Sequence, residues 1–258
     1  MRKIHQYWKM IVIGFLMLTL VTVGNLARLF AKGKTLREFQ TELVRRLSRI
    51  TLAVLGVKVF IEGTENWREG KSYLAVSNHL SYLDILLFAS YQPFCFVSTE
   101  EVRTTPVLGS LATAGGCVFV ERRSRENIRQ EVELIAGLLK QGHSMIFFPE
   151  GTSTNGSSVL PFKRPLFAPA VLAGVPVLPA VVQLIEIDGK SVSGQNRDLL
   201  CWYGDMQFAP HLLALAGLQS VKVLLKILPE IPIKDSTRRE ELAQEAQKAV
   251  TSHYKPIT

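Results

Sequence analysis

His79 and Asp84 stand in the stretch Ser77-Asn78-His79-Leu80-Ser81-Tyr82-Leu83-Asp84, between the apolar runs "YLAV" and "ILLFAS". A strand ending near Ser77 and a helix beginning near Ser81 place His79 in the turn between them, where reactive groups are commonly presented. Asp84 then falls in the first helical turn. From there its carboxylate can accept a hydrogen bond from one imidazole nitrogen. That bond fixes the tautomer and leaves the other nitrogen as a general base. The same spacing also has a purely structural reading, because Ser81-x-x-Asp84 is a capping box. The residues by themselves leave both readings open.

Three other stretches carry chemistry of their own. "FFPEGTS", Phe147 to Ser153, leaves an apolar run for Pro, Glu, Gly and hydroxyls. Gly151 lets a ligand approach the backbone, and its amide and those after it could donate to an anion. "GGCVFVERR", Gly115 to Arg123, is a strand that delivers Glu121, Arg122 and Arg123 at its end. A guanidinium there is a natural phosphate ligand through its fork of donors, although "RRSRENIR" also reads as a solvated charge cluster. "VPVLPAVV", Val175 to Val182, is an apolar strand whose Pro179 argues for a sheet edge or a bulge.

In this order and context the stretches resemble the glycerolipid acyltransferase family, typified by lysophosphatidic acid acyltransferases. Its N-H-x-x-x-x-D motif is matched by Asn78, His79 and Asp84. Its strand ending in arginine is matched by "CVFVER" with Arg122. Its F-P-E-G-T motif is matched by Phe148, Pro149, Glu150, Gly151 and Thr152, and its apolar segment around a proline by Pro179. Two positions depart. Ser153 stands where arginine is usual, and Thr99 in "STEEV" stands at the lysine of K-x-E-L, with Glu101 and Val102 keeping the rest. The resemblance covers roughly Val57 to Leu184.

The resemblance implies transfer of a fatty acyl group from a thioester to a lysolipid hydroxyl. His79 and Asp84 would be catalytic. Arg122, Glu150, Gly151 and Thr152 would surround the acceptor headgroup. The donor would be acyl-CoA or acyl carrier protein. The acceptor read first is lysophosphatidic acid, giving phosphatidic acid, with lyso-ornithine lipid as the alternative. Neither a cofactor nor a metal is implied. One rival is a membrane-bound hydrolase using Ser81 or Ser153, though no G-x-S-x-G elbow surrounds either. Another is a non-catalytic lipid-binding protein, which would have no need of a base.

The elements that must position these residues follow from pattern. "VKVFIEG", "SYLAVSN", "FCFVST", "CVFVER", "SMIFFPE", "VLPAVVQL" and "VKVLLKIL" read as strands. Residues 82–91, 106–114, 125–140, 164–173 and 236–253 read as helices between and after them. This alternation predicts an α/β fold with a mixed, largely parallel sheet covered by helices. At 258 residues and 47% hydrophobic, the chain can hold one large domain. Three scattered cysteines give neither a disulfide framework nor a zinc site.

The net charge of +8 has an uneven origin. Up to Phe60 there are eleven basic residues and two acids. A near-neutral remainder argues against nucleic acid as a partner, whereas a basic, apolar N-terminus suits an anionic membrane surface. Met10 to Ala27 is free of charge and would reach about 27 Å as a helix, against a hydrocarbon core of about 30 Å. No A-x-A-like cleavage site follows it. From Leu36 to Leu55, apolar residues step by three and four, as in an amphipathic helix. The expected organisation is a membrane anchor and amphipathic helix over residues 1–56 and an acyltransferase domain over 57–258. The latter would face the cytoplasm at a membrane whose lipids are its partners.

Overall fold

The structure, a computed structural model, describes residues 2–121 and 125–258. The elements are α1 (Arg2–Phe30), α2 (Gly33–Leu55), β1 (Val57–Glu62), β2 (Leu74–Ser77), α3 (Leu83–Tyr91), β3 (Cys95–Thr99), α4 (Glu100–Thr104), α5 (Leu108–Ala114), β4 (Val118–Val120), α6 (Arg125–Lys140), β5 (Met145–Phe147), α7 (Ala168–Ala173), β6 (Val177–Ile187), β7 (Lys190–Ser191), α8 (Phe208–Ala216), β8 (Val221–Ile227) and α9 (Arg239–His253). The strands form one sheet in the order β1-β8-β6-β2-β5-β3-β4, with β7 folded back on β6. From β6 to β4 all neighbours are parallel. β8 runs antiparallel to β6, and β1 runs parallel to β8. This is the mixed, largely parallel sheet expected.

Burial along the strands explains their sequences. All four residues of β2 are buried, as a central strand covered on both faces requires. β8 alternates instead: Val221, Val223, Leu225 and Ile227 are buried. Between them, Lys222 pairs with Glu186 at 3.0 Å and Lys226 with Glu62 at 3.3 Å. Each of these surface pairs contributes little, about 0–1 kcal/mol.

Pro179 lies in β6, an interior strand, and not at a sheet edge. The strand tolerates it because its pairing with β8 is offset there. Val177 bridges Ile231 while Ala180 pairs with Ile227, three residues against four. Pro179 keeps its acceptor role, since its carbonyl takes the Leu228 amide at 2.9 Å. The bulge half of the expectation therefore holds. Three short elements lacked a sequence signal: the five-residue α4, the two-residue β7, and α8, whose "FAPHLLALA" is apolar on nearly every side and so has no periodicity to read.

α1 has two faces. Ile4, Trp8, Ile11, Phe15 and Leu18, stepping by three and four, are exposed. Gln6, Lys9, Ile13, Leu16, Gly24 and Arg28 turn to the protein. Gln6 donates to the Leu213 carbonyl at 2.7 Å. Lys9, 2% exposed, donates to the carbonyls of Leu55 at 3.1 Å and Leu218 at 2.8 Å. Arg28 donates to Thr113. From α2, Arg37 reaches Gly116, Gln40 reaches Ala114 and Arg49 reaches Ser90, each at a carbonyl. These carbonyls lie at or just past the ends of α2, α3, α5 and α8. There the last C=O groups lack intrahelical partners and the helix dipole is negative. So Lys9, Arg28, Arg37 and Arg49, expected to serve an anionic lipid surface, are spent on the protein itself. Among the described residues α1 is the one helix long and apolar enough to cross a membrane. It nevertheless lies against α2, α5 and α8, from Gln6 to Arg28, a length of about 33 Å.

α1 comes close to α5 at Gly24, where an added Cβ would sit 2.5 Å from the Ala114 carbonyl oxygen; at Gly14 it would meet nothing within 4 Å. Gly24→Leu should therefore lift α1 from α5, lowering Tm and speeding hydrogen exchange in residues 20–40. Gly14→Leu should leave both unchanged. Equal behaviour of the two variants would mean that α1 is not seated on α5.

Candidate active site

The site lies at the carboxyl ends of β2 and β5, which are adjacent and parallel. Asn78 allows β2 to end where it does. Its Oδ1 accepts the Val182 amide at 2.9 Å and its Nδ2 donates to the Val182 carbonyl at 3.0 Å. A primary amide carries both a donor and an acceptor, so the side chain continues the ladder to β6 while the backbone turns away. His79 is the first residue of that departure.

Asp84, fully buried, concentrates three hydrogen bonds on one oxygen. Its Oδ2 accepts from His79 Nδ1 at 2.8 Å, from the Leu80 amide at 2.6 Å and from the Ser81 amide at 2.9 Å. A carboxylate oxygen accepts, so Nδ1 carries the proton and Nε2 has its lone pair available. The Ser81 hydroxyl accepts the Leu83 amide at 3.0 Å. Only the carboxylate half of the capping spacing is present, because the Asp84 amide donates to the Ser81 carbonyl and not to its hydroxyl; the carboxylate that ties down the helix entry also meets the imidazole. The Phe148 ring lies flat on the imidazole, with centroids 4.0 Å apart and planes 9° apart, and restricts its rotation.

In the "FPEGTS" turn the polar groups bond to the backbone, while Gly151, Thr152 and Ser153 also line a cavity. Glu150, expected at an acceptor headgroup, is only 3% exposed. Its Oε1 accepts the His79 amide and its Oε2 the Leu160 amide, each at 2.7 Å. Burial pushes its carboxyl up to about 7, against the two amides, which pull it down. Gly151 sits at φ +77°, and its amide, expected to face an anion, donates to the Phe148 carbonyl at 3.0 Å. The Thr152 hydroxyl donates to the Ser153 carbonyl at 3.3 Å. Ser153 donates to the Trp202 carbonyl, while the Trp202 amide donates to Leu80. The segment around Trp202 thus joins the two motif turns, a link between residues too distant in sequence to be read from it. Arg122 and Arg123 lie outside the described residues.

His79, Phe148, Gly151, Thr152 and Ser153 share a cavity of about 480 Å³ with Ile13, Leu16 and Leu20 of α1, Leu47 and Thr51 of α2, and Tyr82, Thr99 and Trp202. Its described lining includes no Lys, Arg, Asp or Glu. Tyr82 is fixed in the wall by His211: the Tyr82 hydroxyl donates to Nδ1 at 2.8 Å, because Nε2, 3.1 Å from the Cys201 carbonyl, must be the protonated nitrogen. The arrangement provides an oriented imidazole facing a mostly apolar space with no Lys, Arg, Asp or Glu among its described lining. Glu150 is not among the residues that line it.

Asp84→Asn should lower stability and turnover together, because one oxygen serves both the turn and the imidazole. Losing hydrogen bonds to a charged group costs about 1.5–3 kcal/mol. Denaturant midpoints and initial rates on one preparation test this; a loss of stability with full activity would remove Asp84 from the chemistry. Glu150 gives a second, pH-dependent test. Below its ordinary value of 4.5 the carboxyl is protonated in both folded and unfolded chains. Between there and about 7 only the folded chain keeps the proton. Wild type should thus lose stability relative to Glu150→Gln as pH rises through this window. A difference in Tm that stays constant from pH 4 to pH 8 would contradict the assignment.

Comparison with known proteins bears on these features. Residues 58–183 match the family model described as Acyltransferase. The chain is 35% identical over 207 residues to the lyso-ornithine lipid O-acyltransferase of Rhodobacter capsulatus, covering 79% of this chain and 72% of the relative. It is 27% identical over 229 residues to the 1-acyl-sn-glycerol-3-phosphate acyltransferase of Neisseria meningitidis, covering 86% and 87%. The crystal structure of the 1-acyl-sn-glycerophosphate acyltransferase PlsC from Thermotoga maritima superposes with a TM-score of 0.68 at 25% identity, over 98% of this chain and 95% of that one. With Asn78, His79 and Asp84 at the end of β2 and the Pro149-Glu150-Gly151-Thr152 turn beside them, the chain belongs to the acyltransferase family that includes these lysolipid-acylating enzymes.

Proposed function

We propose that the protein moves a fatty acyl group from an acyl thioester to a lysolipid hydroxyl at a membrane surface. The observation that carries this reading is the His79–Asp84 pair facing a cavity large enough for a hydrocarbon chain, with no Lys, Arg, Asp or Glu among its described lining residues. His79 Nε2 takes the proton of the acceptor hydroxyl as its oxygen attacks the thioester carbonyl. Asp84 Oδ2 steadies the imidazolium that forms. The C–S bond of the tetrahedral intermediate then breaks, and the imidazolium returns the proton to the leaving thiolate. No acyl-enzyme is required. The Ser81 and Ser153 hydroxyls, the candidate nucleophiles of a hydrolase, are both engaged with backbone groups.

The acceptor follows from charge. A phosphate monoester brought into a partly dry site needs cations beside it. Thr99 and Ser153 line the cavity as neutral side chains, and no described lining residue is cationic. This favours a lysolipid with an amino-acid headgroup, the class named for relatives that are 31–35% identical. Lysophosphatidic acid is the second reading, and Arg122 is the residue that would carry it. The donor is acyl-CoA or acyl carrier protein, both of which place the site on the cytoplasmic side. The exposed apolar stripe of α1 would lie in that leaflet.

Purified protein in detergent, given one labelled acyl thioester and a panel of lysolipids, should acylate lyso-ornithine lipid faster than lysophosphatidic acid. The opposite preference would move Arg122 to the headgroup. Free fatty acid released without any acceptor would point to a hydrolase, and lipid binding without turnover to a non-catalytic role. His79→Ala should lower the rate by about 10²–10⁴-fold with binding retained; a wild-type rate would overturn the mechanism.

A further inference from the structure

His79 is held at both ends of its own peptide by one segment. Glu150 Oε1 takes its amide at 2.7 Å, and the Thr154 amide donates to its carbonyl at 2.9 Å. The segment is closed on itself twice, by Leu160 donating to Glu150 Oε2 at 2.7 Å and by Lys163 donating to the Pro149 carbonyl at 2.9 Å. From outside it is braced at Gly156, whose carbonyl accepts both the Tyr254 hydroxyl at 2.7 Å and the Ile257 amide at 2.9 Å. Gly156 sits at φ +78°, and an added Cβ there would lie 2.6 Å from Ile257. So residues 149–163 form a closed frame around the histidine, and Glu150 is its crosspiece.

We propose that Glu150 is a positioning residue, whose carboxylate spans the Leu160 and His79 amides, fixes the His79 peptide and so aims Nε2 at the reacting hydroxyl, without touching the acyl acceptor. The geometry supports this role over a headgroup contact in two ways. Both carboxylate oxygens are engaged by backbone amides, and the side chain is absent from the cavity wall. A carboxylate suits the span because both of its oxygens accept. An amide offers one acceptor and would set its NH₂ against the other backbone N–H. The inference rests on the acyl-transfer reading for its effect on rate, but its effect on His79 can be read without turnover.

The test uses the full chain in detergent at pH 8, above the value of about 7 to which burial raises the Glu150 carboxyl, with steady-state kinetics on the best lysolipid of the panel and NMR of isotopically labelled histidine. There are five histidines, and the His79 signal is identified by its loss in His79→Ala. Glu150→Gln should lower kcat by roughly tenfold to a hundredfold, as misplacement of a reacting group does. The KM for the lysolipid should stay within about twofold, and the His79 signal should shift. Glu150→Asp, too short to span both amides, should fall further. A raised lysolipid KM with kcat and the His79 signal unchanged would make Glu150 a headgroup contact and overturn the proposal, as would no change in either. Should both variants fail to fold, Tyr254→Phe loosens the same frame from its outer side. A lower kcat with an altered His79 signal then supports the proposal, and wild-type behaviour in both overturns it. If wild type turns over no lysolipid, the functional reading fails, while the His79 signal still reports whether Glu150 sets its position.

Discussion

One carboxylate oxygen organises the turn that follows β2. Asp84 Oδ2 gathers His79 Nδ1 and two successive backbone amides, and each donor limits what the others can do. The amides fix the turn that carries the histidine. The turn fixes the distance from which the imidazole can reach the carboxylate. The carboxylate decides which imidazole nitrogen holds the proton. Such an oxygen, buried and accepting three N–H groups, keeps its geometry without help from solvent. β2 and β5 supply the rigid ends from which both motif turns spring, and Asn78 ends one of them by imitating a strand with its side chain.

Positive charge has a different use from the one that net charge suggests. A basic N-terminal segment invites an explanation by anionic lipid. Here, part of that charge neutralises the negative ends of the protein's own helices. Lys9 is the extreme case, a cation inside an apolar helix that is satisfied by two carbonyls from different elements. The same contacts turn α1 into a wall of the cavity, so the exposed apolar stripe and the shape of the cavity belong to one helix.

Much of this was legible in the sequence because it is local. The seven main strands, the helices between them and the His79–Asp84 spacing follow from periodicity and from residues a few positions apart. What escaped reading is held across the chain. Glu150 looks like a ligand because it sits in a polar turn after an apolar strand. Only the fold shows that His79 and Leu160 bring their amides to it. Ser153 and Trp202, or Tyr82 and His211, meet with no sequence pattern between them. Pro179 misled in part because a proline reports a missing donor, not the position of its strand in the sheet.

The brace at Gly156 has a consequence for how the protein is made. Tyr254 and Ile257, which hold the histidine's frame from outside, are synthesised long after α1, whose apolar stripe is exposed. A chain emerging from the ribosome therefore presents that stripe well before it can complete the frame around His79. The apolar stripe comes first and the brace last, so the frame around His79 closes only once Tyr254 and Ile257 have been added.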